Sequence, residues 1–223
     1  MANFRTHITV AAAGGMLMAY AGWQAQWWPA SQALLVIALV AFGGILPDID
    51  ADRSHSIRLI FNLLSVPSLV LGVLLLQPWL TPGMLLVACG GIYFCVRFLA
   101  AVLFSRLTVH RGIWHSLMAA GLCALVTSAL SFQLFAQPAW LAWAHGVALL
   151  LGFVIHLGLD ELFSVDLEGA RLKRSFGTAL KLGDGRRPLS NLLMMIAVLT
   201  LVPWVPPWSV LGDLLYQGSL LWR

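Results

Sequence analysis

Apolar residues occur in seven stretches along the chain, at residues 8 to 23, 31 to 46, 57 to 76, 83 to 105, 112 to 135, 138 to 162 and 189 to 202. Each approaches the ~20 residues an α-helix needs to cross a hydrocarbon core of ~30 Å. Turn signals such as Trp28-Pro29, Gln77-Pro78, Thr81-Pro82 and Gln137-Pro138 separate them and suit short hairpin connections. The tail, Trp208 to Trp222, sets Ser209, Asp213 and Gln217 four apart on one stripe, which predicts an amphipathic helix in the interface or a short eighth span. The pattern therefore predicts an all-α, polytopic helical membrane protein with about seven transmembrane helices. Residues 1–223 form a single integral domain in this reading, and 163–188 is a basic loop within it.

Composition removes the alternatives. Of 223 residues 60% are apolar and only 10% are charged, with a mean hydropathy of +0.88. A soluble domain carries about 25% charged residues, so that class is excluded, as are disorder and coiled coil. Cys89, Cys95 and Cys123 lie inside apolar runs, and an odd count there gives no disulfide framework. Arg5, the apolar run after it and Ala19-Tyr20-Ala21 have features of a secretory signal, but a first transmembrane helix serves the same targeting role.

Charge then orients the chain. Seven spans put the N-terminus and the loops 47–56, 106–111 and 163–188 on one side, with 11 of the 13 Lys and Arg residues. The loops of the other side, around Trp28, Pro78 and Gln137, hold none, so the positive-inside rule makes the first side cytoplasmic. The net charge of +4 reports topology, and no nucleic-acid partner is expected.

The same threading delivers His7, Asp48, Asp50, His110, His115, His156 and Asp160 to that side. Imidazole and carboxylate donors together suit one or two divalent transition ions, Zn, Mn or Fe. His156 and Asp160 are four apart on one helix face and can meet one ion. His110 and His115 converge only if His110 lies in a loop and His115 in the first turn of the next helix. Pro47 to Asp52 is expected to be non-helical, and an alternating carboxylate pair in extended geometry would not share a face. His145, eleven residues before His156 and ~16 Å away along the helix, is expected to be a buried, hydrogen-bonded residue outside the cluster. Arg97 is expected to snorkel, and Asp52, His55 and Glu161 to be solvated among headgroups. Ser116 is read as bonded to its own backbone rather than as a nucleophile.

The elements Thr6-His7, Leu46-Pro47-Asp48-Ile49-Asp50, His110-Arg111-Gly112-Ile113-Trp114-His115-Ser116 and His156-Leu157-Gly158-Leu159-Asp160 resemble, in this order, those of the YdjM-like inner-membrane proteins, some of them LexA-regulated. The resemblance implies a helical protein of the bacterial inner membrane with a His/Asp metal site and metal-dependent hydrolase activity. Two places depart from the family pattern: Trp114 stands where Thr is expected, and Glu161-Leu162-Phe163 replaces a Thr and Gly pattern.

The expected function is hydrolysis of an ester, foremost a phosphoester, in a lipid or lipid-linked substrate at the cytoplasmic face. His7, Asp48, His110, His156 and Asp160 are the expected metal ligands. Asp50 and His115 are expected as acid/base or supporting groups, and Arg111 as the holder of an anionic substrate group. The lipid expectation rests on span length: 8–23 and 31–46 give 16 residues each, about 24 Å as helix, which would sink His7 and Asp48 below the headgroup plane. The alternatives are a transporter of a divalent metal or protons and a non-catalytic scaffold whose basic loop binds anionic lipid or a partner.

Overall fold

The computed structural model describes residues 3–50, 55–107, 112–166, 171–172, 177, 180–185 and 187–220. Every apolar run becomes helix. The elements are α1 (Phe4–Gln24), α2 (Ala33–Gly43) after a 3-10 turn at Ala30–Gln32, α3 (His55–Leu76), α4 (Pro82–Phe94), α5 (Ala101–Leu107), α6 (Leu117–Gln133), α7 (Ala139–Leu162), α8 (Pro188–Leu201) and α9 (Trp208–Leu220). A π-helical segment, Cys95–Ala100, joins α4 to α5. A two-residue antiparallel ladder pairs Val165–Asp166 with Arg171–Leu172.

The number of membrane-crossing helices is smaller than the seven the pattern predicts. Among the described residues three segments are long and apolar enough: Ser56–Leu76, Pro82–Ser105 and Ala139–Leu162. A fourth exists only if α8 with its 3-10 extension and α9, bent by 92° at the prolines Pro206 and Pro207, count as one. The others fail for identifiable reasons. α2 has 11 residues, about 16 Å of helix, and α6 has 17, about 26 Å. α1 has 21 residues, about 32 Å, so it is long enough, and the expected shortfall at its His7 end is corrected. It is diluted instead by Arg5, Thr6, His7, Gly14, Gly15 and Gln24.

Contacts divide the chain into two compact units, Met1–Pro47 with His115–Arg223, and Asp48–Trp114. In the first, Asn3 caps α1 by accepting from the Thr6 amide at 2.8 Å. One face of α1 is a buried stripe of His7, Ala11, Gly15, Ala19 and Gly22, spaced four, four, four and three. Small residues at that spacing let neighbouring helices come close. α1 and α7 pack on α2, which buries Val36, Val40 and Gly43. A Cβ at Gly152 of α7 would overlap the Val40 carbonyl, and one at Gly43 would overlap that of Leu149, so backbone meets backbone there. The Trp28 ring fills the space left by the missing Gly22 side chain and donates Nε1–H to the Ala19 carbonyl at 3.2 Å. α6 packs along α7, and the α8–α9 bend is tied to α7 by Trp143, whose Nε1 donates to the Pro207 carbonyl at 3.1 Å.

In the second unit α3 lies against α4 and the π-helical segment, with Ile92 seated over Gly72. Phe61, Phe104 and Trp114 form a chain of ring contacts at 6.1 and 5.0 Å. The Arg97 guanidinium stacks over Phe98 at 5.1 Å, a cation–π contact.

Candidate metal centre

α7 carries the central stripe. Ala148, Gly152, His156 and Asp160 follow at intervals of four, each fully buried or with its backbone against α2. Because Gly152 brings the α2 backbone into contact, the Gly44 carbonyl one turn further on reaches His156 Nδ1 at 2.7 Å. A carbonyl only accepts, so Nδ1 carries the proton and the neutral ring keeps its lone pair on Nε2. That Nε2 lies 3.9 Å from Asp160 Oδ2.

α1 supplies His7 from its buried stripe. Its Nε2 is 3.3 Å from Asp160 Oδ1, and its ring stacks on His156 at 3.7 Å with 12° between the planes. His7 Nδ1 has no hydrogen-bond partner among the described residues. The third imidazole, His115, stands with Nε2 3.9 Å from Asp160 Oδ2 and its ring 5.7 Å from that of His156. His7 is 1% exposed, and His115, His156 and Asp160 are 0%.

His115 is held differently from the expectation. It lies just before α6 rather than in its first turn, because Ser116, in extended backbone, is the N-cap and accepts from the Ala119 amide at 3.2 Å. The expected Ser116 bond to its own backbone is thus an N-cap. The next two amides of α6, Leu117 and Met118, donate to the Lys181 and Leu182 carbonyls at 2.9 and 3.1 Å. Residues 180–185 therefore strap the start of α6, satisfying donors that a helix N-terminus leaves open. Asn191 of α8 pins the strap in turn, accepting from the Asp184 amide at 2.8 Å and donating to its carbonyl at 2.9 Å.

Donors about 2.0–2.2 Å from a tetrahedral ion lie roughly 3.3–3.6 Å from one another. The His7–Asp160 separation matches that spacing, and the two 3.9 Å separations exceed it by a few tenths of an ångström. One donor atom from each of His7, His156 and Asp160 falls within 4.8 Å of the others, so this set could hold a metal ion. Three neutral-capable imidazoles around one carboxylate, shut off from water, fit Zn, Mn or Fe in donor chemistry.

Asp48 opens the second unit within a 3-10 turn, Pro47–Asp50, rather than in the extended geometry expected, and accepts from the Ser56 hydroxyl at 3.4 Å. The Asp50 side chain, His110 and Arg111 lie outside the described residues. His145 is buried and bonded through Nδ1 to the Ser131 hydroxyl at 2.8 Å. Glu161 accepts from the Gly177 amide. Gly44 and Gly152 were not singled out by sequence, although Gly152 stands four residues before His156, a spacing that carries the signal.

A bundle of apolar helices with a buried cluster of three histidines and one aspartate defines the class: a helical membrane protein with a buried candidate metal centre. The chain belongs to the YdjM inner membrane protein family, whose match extends over residues 1–205. No curated protein and no solved structure matches it.

Proposed function

We propose that the protein is a multi-pass, metal-dependent hydrolase of the inner membrane that cleaves a phosphoester of an amphiphilic substrate at the cytoplasmic side. The observation that carries this reading is the convergence of His7, His115 and His156 on the buried Asp160 carboxylate. His7, His156 and Asp160 would hold the ion, and His115 completes the set. A divalent ion bound there supplies Lewis acidity and lowers the pKa of water toward neutrality. The chain's own residues do the rest. The Gly44 carbonyl fixes the His156 ring so that Nε2 faces inward, and the Asp160 carboxylate would offset the charge of a bound ion. Burial of all four side chains keeps bulk water out, which strengthens every electrostatic contact in the site.

The cytoplasmic orientation rests on the clustering of Lys and Arg in a few segments of the sequence, at Arg5, Arg53, Arg58, Arg106, Arg111 and from Arg171 to Arg187, which the positive-inside rule reads as cytoplasmic. Arg111 and that basic loop would draw in an anionic head at a strength that falls with salt. The apolar helices that enclose the site favour an amphiphile over a soluble metabolite.

The test is turnover in proteoliposomes of lipid phosphoesters against water-soluble short-chain analogues, with wild type and Asp160→Asn. Asp160-dependent turnover of the lipid alone is the expected result. Equal turnover of the soluble analogues overturns the substrate class, and metal flux without turnover replaces the hydrolase with a transporter.

A further inference from the structure

We propose that the cleft bounded by α2, α6 and α7 around His145 binds an uncharged, hydroxyl-bearing lipid, with the ligand hydroxyl seated on the imidazole. His145 lies eleven residues before His156, about 16 Å along α7, so this cleft is separate from the histidine–aspartate cluster. The cleft has a volume of about 380 Å³, at the small end of the range for ligand pockets. That is room for a headgroup and the first part of one chain, with the remainder left in the bilayer.

The polar side chains lining the cleft are Gln32, Thr127, Ser131, Gln137 and His145, all uncharged when the imidazole is neutral, and the Gln137 amide donates to the Phe135 carbonyl at 3.1 Å. His145, 4% exposed, uses Nδ1 on the Ser131 hydroxyl, and its Nε2 has no hydrogen-bond partner among the described residues. The Thr127 hydroxyl on the same wall donates to the Cys123 carbonyl and is occupied. A buried polar nitrogen without a partner costs free energy, and a ligand that supplies the partner recovers it.

The ligand class follows from what the walls contain. No Asp, Glu, Lys or Arg lines the cleft, so a phosphate, carboxylate or ammonium head would be desolvated without a counter-charge. The Ser131 hydroxyl can donate to Nδ1 or accept from it, which leaves Nε2 either protonated or not. A ligand hydroxyl both donates and accepts and therefore suits both states; a carbonyl or ether suits only one. Leu35, Leu130 and Phe135 line the cleft and are exposed apolar side chains, which gives a hydrocarbon chain a path in beside the half-buried amides of Gln32 and Gln137. Long-chain alcohols and diacylglycerols share this chemistry. The inference does not depend on the reaction proposed for the metal centre.

The experiment uses the full chain in lipid nanodiscs. Two photoreactive probes carry a diazirine near the head, one a long-chain alcohol, the other its phosphate monoester, with a third arm for a diacylglycerol of the same chain length. Labelled sites are mapped by mass spectrometry. The alcohol or the diacylglycerol should label residues 33–43 and 127–149 and be displaced by unlabelled alcohol; the arm that labels more strongly names the source. His145→Phe, which keeps the ring and removes both nitrogens, should lower labelling about five- to tenfold, the worth of one neutral hydrogen bond in an apolar site. The phosphate probe should label this region no more than it labels the lipid-facing residues of α4. Leu39→Trp, which fills the cleft and leaves the imidazole in place, should abolish labelling with metal content unchanged, and it keeps the test open if His145→Phe fails to fold. Labelling that is insensitive to Leu39→Trp overturns the proposal. So does equal labelling by the phosphate probe, or labelling of these residues no higher than that of α4, which would mean that only water serves His145.

Discussion

Two segments of equal length, Ala139–Leu162 and Pro82–Ser105, are both continuous 24-residue apolar helical stretches, yet over an 18-residue window of each, 67% of the residues are buried in one and none fully in the other. Apolarity alone does not distinguish them. What differs is the placement of small and ionisable residues. α7 repeats Ala148, Gly152, His156 and Asp160 on one face, so α2 can approach to backbone contact and the polar side chains are sealed in. α4 also has glycines, Gly90 and Gly91, but nothing lies within 4 Å of where their Cβ atoms would be, and the residues four further on, Phe94 and Cys95, bring no imidazole or carboxylate. In a bilayer, helix association rests on close packing and polar contacts rather than on removal of apolar area from water. A helix with neither device keeps most of its surface exposed.

The comparison is broken most severely at Gly152. Gly152→Leu should destabilise the fold by about 3 kcal/mol or more, because the new side chain meets the Val40 and Gly44 backbone, which cannot yield. Gly90→Leu should be tolerated within about 0.5 kcal/mol. Thermal unfolding in detergent, with the two variants side by side, measures the difference.

Truncation gives a second, smaller contrast. Leu157→Ala, at a fully buried position on α7, should cost about 2–5 kcal/mol through the cavity it leaves. Leu86→Ala on α4, where the side chain is 74% exposed, should cost about 0.5 kcal/mol or less. Equal losses would mean that α4 is packed as α7 is.

Ser116→Ala is milder than either change on the buried face of α7. Loss of the N-cap should cost about 1 kcal/mol and lower metal affinity by loosening the backbone that carries His115. Asn at the same position should restore both, since its side chain also caps. Isothermal titration with the metal, alongside unfolding, separates the two effects.

Much of this architecture was legible in the sequence. All seven apolar runs are helices, and the tail helix lies where Ser209, Asp213 and Gln217 place it. The i, i+4 spacing of His156 and Asp160 set both on one face, and His145 is hydrogen-bonded and apart, as its distance along the helix requires. The count of membrane-crossing helices was not legible, since a run of apolar letters does not reveal the 3-10 turn before α2 or the bend between α8 and α9. His115 lies before α6 rather than in its first turn because Ser116 competes with the apolar pattern for the helix start and wins as a cap. The Gly44 carbonyl is a backbone group, so no residue type announces it; only its approach through Gly152 does. The strap at 180–185 was hidden inside a loop read from its charge alone.

The central claim is that His7, His156 and Asp160 hold a metal ion, and elemental analysis of the purified protein tests it most directly. Wild type should hold about one to two equivalents of a transition metal per chain, removable by a chelator and restored on addition. His156→Ala and Asp160→Ala should fall to background, while His145→Ala retains the wild-type content. Wild-type metal content in both the His156 and Asp160 variants, or a loss confined to the His145 variant, would contradict the account.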